Sequence, residues 1–145
     1  MLPAYGGVWK WDRFYTDERT GEELTKYMVV LAHSRFGDIV LRLLTSQSAL
    51  RGVGPCNHDE TRPGYYLGVI DPAVGLGKES WLDLRGYDDV EPETWDARVS
   101  DGVLTQVACL PNNVMCPALL CVIGARDTQK QQQAAIYETR AAIRC

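Results

Sequence analysis

The chain carries only two histidines in 145 residues, and it has no C-x-x-C pair, no G-x-S-x-G elbow and no G-x-x-x-x-G-K-[ST] loop. These absences argue against a zinc ribbon, leave a hydrolase triad without sequence support and exclude a Walker-type nucleotide site. Gly75-Leu76-Gly77-Lys78 has the wrong spacing for a phosphate loop and reads as a turn. No apolar run approaches the roughly 18–20 residues that cross a bilayer, and the N-terminus lacks the charged start and long apolar stretch of a secretory signal. A cytoplasmic protein with no membrane association is therefore expected. The five cysteines, Cys56, Cys109, Cys116, Cys121 and Cys145, are odd in number and irregularly spaced, and they read as reduced thiols. Cys56-Asn57-His58 offers metal-ligand residue types, but no second ligand pair follows at suitable spacing, so no metal and no cofactor is expected. A net charge of -4 argues against constitutive nucleic-acid binding and leaves room only for a local basic groove.

What is present organises around Lys26 to Gln47. Two β-rich apolar runs, Tyr27–Ala32 and Ile39–Leu44, flank a turn at Phe36-Gly37-Asp38, and the second run ends in the polar tripeptide Thr45-Ser46-Gln47. Upstream, Gly7–Asp12 reads as a first strand with Trp9 and Trp11 on one face. The polar stretch Asp17–Thr25 is an exposed connection, either a mobile flap or a solvated hairpin loop. Downstream, Ser48–Pro63 has no consistent period and reads as a loop, while Tyr65–Ile70 reads as a short strand. Lys78–Tyr87 alternates, with Leu82 and Leu84 on one face and Asp83 and Arg85 on the other. Asp88–Asp96 is an acidic surface connection with Trp95 folded back, and at least two of the four tryptophans are expected in the core.

Gly102–Cys109 is the last expected strand, after which the pattern turns helical. Asn112–Ile123 is mostly apolar, with Pro117 expected to kink or end it and Gly124 to stop it. Gln129–Ile143 is expected to be a final helix capped by Asp127 or Thr128, with Ala135, Ile136, Ala142 and Ile143 on one face. Length favours one domain over 1–145. Strands lead and helices follow, which predicts an α+β domain: a small twisted antiparallel sheet or barrel over 1–109, covered by helices within 110–145.

The succession GGVWKWDRFYTD (Gly6–Asp17), KYMVVLA (Lys26–Ala32), DIVLRLLTSQ (Asp38–Gln47) and GLGKESWLDLRGYD (Gly75–Asp88) resembles the MazF/PemK-type toxins of bacterial toxin–antitoxin systems. Those proteins begin with a Gly-x-[Ile/Val]-Trp strand and a flexible loop, continue with a strand introduced by Arg-Pro, and carry Thr-Ser at the end of the next. The resemblance covers roughly the first 90 residues. It implies an SH3-like β-barrel, commonly a homodimer, acting in the cytoplasm as a metal-independent endoribonuclease on single-stranded RNA and held inactive by an antitoxin peptide. Such cleavage uses the neighbouring 2′-hydroxyl as nucleophile, so the protein must take that proton, protonate the leaving 5′-oxygen and stabilise the phosphorane.

Carried over by position, Thr45 and Ser46 would contact the scissile phosphate. Lys26 stands where the family has the Arg of Arg-Pro, with Tyr27 in place of Pro, and supplies a point charge where a planar fork would bind bidentately. Arg13, Arg19 or Arg35 would have to replace that fork. Asp83 is a candidate base or orienting group, or simply the ion-pair partner of Arg85. His33, expected beside Thr45 across the hairpin, is a candidate general acid or base, or a surface histidine on a turn. The alternative to a nuclease is a catalytically silent SH3-like binding module that recognises a protein or peptide.

Overall fold

The computed structural model describes residues 2–145. Seven strands form one sheet: β1 (Gly7–Thr16), β2 (Glu23–His33), β3 (Ile39–Thr45), β4 (Cys56–Asn57), β5 (Gly64–Asp71), β6 (Leu76–Asp83) and β7 (Leu104–Cys109). Three helices complete the fold: α1 (Pro92–Ser100), α2 (Asn112–Ile123) and α3 (Lys130–Ala142). The strand order is β4-β5-β6-β3-β2-β1-β7, and the named pairings are antiparallel. The sheet is open. Its edges, β4 and β7, do not meet, which corrects the expectation of a closed barrel, because closure requires the two edges to share a hydrogen-bond ladder.

The centre of the sheet is covered on both faces. Val29 and Leu31 of β2 join Val40 and Leu44 of β3 in a core that packs beneath α2 and α3. Met28 and Val30 point the other way, into a second cluster with Ile39, Leu41, Trp9 and Trp95. Burial on both sides explains why β2 reads as a continuous apolar run instead of an alternating one. Trp9, Trp81 and Trp95 are buried, and the Trp9 and Trp95 rings meet edge to face at 5.0 Å.

The 88–96 connection is more ordered than the sequence suggests. Pro92 opens α1, where its missing N–H costs nothing, and Trp95 is the one residue of the helix that is fully buried. β1 is also longer than expected. It bends at a register shift between Trp11 and Tyr15, where Arg13 takes a φ of 54°, then runs into a tight hairpin whose Asp17 carboxylate accepts the Arg19 backbone N–H at 2.8 Å. Of the 17–25 stretch, residues 17–22 are thus a solvated hairpin loop, while Glu23, Leu24 and Thr25 already belong to β2. α2 spans Asn112–Ile123 without interruption despite Pro117, and Gly124 closes it. α3 is capped by Gln129, not by Asp127 or Thr128: Gln129 and Gln132 form a reciprocal capping box, while the Thr128 hydroxyl donates to the Val122 carbonyl. On α3, Ala135 and Ile136 are buried while Ala142 is exposed.

The cysteines depart from expectation. Cys56 is disulfide-bonded to Cys121 and Cys116 to Cys145, with Cα–Cα separations of 5.8 and 5.4 Å, and only Cys109 is free among the described residues. These pairs lie 65 and 29 residues apart in the chain, so local spacing carried no sign of them. No helix of the described residues is long and apolar enough to cross a membrane.

Candidate functional site

The two halves of the sheet are joined through β3 and β6, and this junction is narrow. Only Leu44↔Leu82 and Thr45↔Trp81 are paired. Side chains on a strand alternate between faces, so Leu82 and Leu84 enter the main core while Trp81 and Asp83 project to the same side as Thr45. The strands diverge beyond Thr45, and the loop preceding β5 folds over the gap. The result is a polar cavity of about 160 Å³ lined by Thr45, Gln47, Thr61, Arg62, Asp83 and Arg85, with Leu50 and Pro63 on its apolar wall.

Asp83 anchors this cavity. Its side chain is only 10% exposed, and both carboxylate oxygens are engaged by Arg85: Oδ1 accepts the Arg85 backbone N–H and Nε at 3.0 Å each, and Oδ2 accepts Nη2 at 2.6 Å. The ion pair anticipated from sequence is therefore present, in bidentate form. Hydrogen bonding and charge attraction to Asp83 push the Arg85 pKa further up, so the guanidinium is permanently charged. Around this pair the Thr61 hydroxyl donates to Asp59 at 2.7 Å, and three other polar groups are unengaged. The Thr45 hydroxyl, the Gln47 amide and the Arg62 guanidinium have no partner among the described residues. Two arginines against one carboxylate leave the cavity with a local excess of positive charge, although the whole chain is acidic.

A second, apolar pocket of about 330 Å³ adjoins it, sharing Leu50 and lined also by Val53, Pro55, Tyr66 and Trp81. The Tyr66 and Trp81 rings lie 5.3 Å apart at 55°, and the Tyr66 hydroxyl donates to Glu79, which also pairs with Arg51. Trp81 lines only the apolar pocket, but as the register partner of Thr45 it stands beside the polar one. A polar, donor-rich hollow beside an aromatic slot suits an anionic group attached to a flat ring.

The other residues singled out from sequence lie elsewhere. Ser46 follows Thr45 but is exposed and does not line the cavity. Lys26 lies over the Tyr15 ring, 5.6 Å from its centroid. His33 pairs with Ile39, six residues from Thr45 along β3 or about 20 Å of strand, which corrects its expected place beside Thr45. Its Nε2 lies 2.7 Å from the Pro3 carbonyl, its ring packs on Tyr5, and burial lowers its pKa. His33 is the last residue of β2 before the turn and so faces the first residue of β3, whereas Thr45 is the last residue of β3. Arg13, Arg19 and Arg35 do not reach the cavity either. The residue that does is Arg62, delivered by the aperiodic loop; Arg62-Pro63 is the chain's one Arg-Pro dipeptide, and it stands immediately before β5. That dipeptide was the available signal.

No family model, curated protein or solved structure matches the chain.

Proposed function

We propose that the chain is a diverged MazF/PemK-like toxin that acts as a metal-independent endoribonuclease on single-stranded RNA. In this reading the seven-stranded sheet is an opened form of an SH3-like barrel. The observation that carries it is the cavity itself: Thr45 and Asp83, distant in sequence and both singled out from it, line one hollow with Gln47, Arg62 and Arg85, and the Thr45, Gln47 and Arg62 side chains have no partner among the described residues. A scissile phosphate held there would face Thr45, Gln47 and Arg62, with the adjoining base against Tyr66 and Trp81. The Arg62 fork supplies the planar recognition that Lys26 does not. Arg85, fixed by Asp83, stabilises charge building on the phosphorane. Asp83 becomes a proton acceptor only when Arg85 turns toward the phosphate and releases one carboxylate oxygen.

The test is cleavage of a mixed-sequence RNA pool in the presence of EDTA, with mapping of 5′ ends and assay for 2′,3′-cyclic phosphate. Wild-type protein is expected to produce ends sharing a short sequence, and the Thr45→Ala and Arg62→Ala variants to lose them. Intact RNA after incubation with folded wild type would favour the second reading, a silent binding module for a protein or peptide. Two observations favour that reading: both Asp83 oxygens are engaged by Arg85, and the larger of the two neighbouring pockets is apolar.

A further inference from the structure

The loop that delivers Arg62 begins at β4, the edge strand, and there three soft or borderline ligand groups converge. Cys56 Sγ, His58 Nε2 and Cys121 Sγ lie within 4.8 Å of one another. Cys56 and His58 are two residues apart, whereas Cys121 comes from the last turn of α2. His58 Nε2 is 3.3 Å from the Cys56 sulfur and 3.5 Å from the Cys121 sulfur. Zinc bonds of about 2.3 Å to sulfur and 2.0–2.1 Å to imidazole nitrogen, at a tetrahedral angle, place those two atom types ~3.5 Å apart. The imidazole is therefore already at ligand spacing from both sulfurs, and only the sulfurs have to part.

Two further features fit a cation at this point. The imidazole lies against the C-cap of α2, where a Cβ added to Gly124 would come within 2.9 Å of His58 Cε1; glycine is what lets the ring sit there. The Cys121 carbonyl, 2.9 Å from His58 Nε2, belongs to the negative end of that helix, which favours positive charge. Beside His58 a small hollow is bordered by Asp59, Glu60, Arg126 and Asp127; its carboxylates are engaged, Glu60 by Arg126, Asp59 by Thr61 and Asp127 by the Gly86 N–H, and it offers room for a water as the fourth ligand.

We propose that Cys56, His58 and Cys121 form a redox-gated site for a divalent cation of the zinc class. In the oxidised chain the two sulfurs are bonded to each other. A dithiol reductant supplies two electrons and two protons, opens the S–S bond to two thiols and is itself oxidised to a disulfide. The cation then displaces the two thiol protons to solvent and is held by two thiolates and His58 Nε2, which gives up its hydrogen bond to the Cys121 carbonyl as the ring passes to the tautomer protonated at Nδ1. In either state the 57–63 loop remains tied to α2, so Arg62 and Thr61 stay at the polar cavity. The cation is structural and takes no part in RNA chemistry. The site matters most in a reducing compartment, where disulfides do not persist, and it is independent of whether the cavity cleaves RNA.

The test titrates cobalt(II), then zinc(II), into the full chain, once oxidised and once reduced by dithiothreitol without air. The reduced chain is expected to take up one cobalt ion with the thiolate charge-transfer and intense visible bands of a tetrahedral site, and zinc to bleach them. The oxidised chain is expected to show neither. His58→Ala and Cys121→Ser should abolish the bands, while the Cys116→Ser/Cys145→Ser double variant keeps them. If reduction unfolds the chain, zinc added to the reduced wild type should restore its circular dichroism. A reduced wild type that takes up no cobalt and is not refolded by zinc would overturn the proposal, as would a tetrahedral spectrum that survives both His58→Ala and Cys121→Ser.

Discussion

β3 carries polar side chains to two places, and they are treated in opposite ways. Arg42, fully buried, points beneath α3, where its Nη1 donates to the Leu41 carbonyl and its Nη2 to Gln132 Oε1 at 2.9 Å. Gln132 in turn donates to the Tyr87 carbonyl and to Asp89, so the network is closed on protein groups apart from Arg42 Nε. Three residues along the same strand, Thr45 opens onto a hollow in which hydroxyl, amide and one guanidinium are left without partners among the described residues. Buried polar groups must satisfy one another, and the first set holds the last helix on the sheet. The second set is free to satisfy something else, which marks it, and not the more deeply buried arginine, as the place where a ligand acts.

That contrast can be broken or sharpened. The largest effect is expected from Thr45→Ala combined with Arg62→Ala, which should lower RNA cleavage by roughly 10²–10³-fold, the scale associated with removing preorganised donors, while leaving the urea midpoint unchanged. Arg42→Ala should do the reverse: about 3 kcal/mol lost in urea unfolding, because a large buried side chain is removed and Gln132 Oε1 loses its charged donor, keeping only the Gln129 N–H at 3.2 Å. A cleavage loss at Arg42 without loss of stability would dissolve the distinction.

Asp89 gives a smaller, pH-dependent signal. Burial raises its pKa above 3.8 despite the Gln132 hydrogen bond and the attraction of Arg42. The folded state therefore holds this proton more tightly than the unfolded state, and its contribution to stability declines as pH rises from below 3.8 through the raised folded value. Asp89→Asn should flatten that decline in a series of urea melts. His33 acts with the opposite sign. Its pKa is lowered below 6.5 by burial, so stability is lost as pH falls through 6.5 and the unfolded chain takes up the proton first. His33→Gln should remove that part of the acid dependence and leave cleavage untouched. Smallest of all, Lys26→Ala should change cleavage by less than about threefold if its ring contact with Tyr15 is its whole role.

Much of this architecture was legible from residues alone, and the gaps have identifiable causes. β3 and β5 were readable because β-branched residues fall between clear turn signals, and α2 because its apolar content outweighs Pro117. α1 was not, since only Trp95 of its nine residues is buried and one apolar residue makes no period. The disulfides were hidden because their partners are joined by the fold and not by spacing. Thr45 could be picked as the polar end of a readable strand, and Asp83 through the resemblance, which marked an acidic position within the alternating Lys78–Tyr87 run. Gln47 was visible only as the end of the polar tripeptide after β3, and Arg62 was missed although its Arg-Pro dipeptide was there to read, because it lies in an aperiodic segment that only the fold brings to Thr45 and Asp83.

The bond from Cys116 to Cys145 encloses all of α3 within one covalent ring. Tension applied at Cys145 would pass straight to α2 and then, through Cys121 and Cys56, to the edge of the sheet, bypassing the helix between them. α3 therefore cannot be peeled from its end like an ordinary terminal helix. A protease nicking it once would release no fragment, and the severed halves would stay in place, each still fastened to α2.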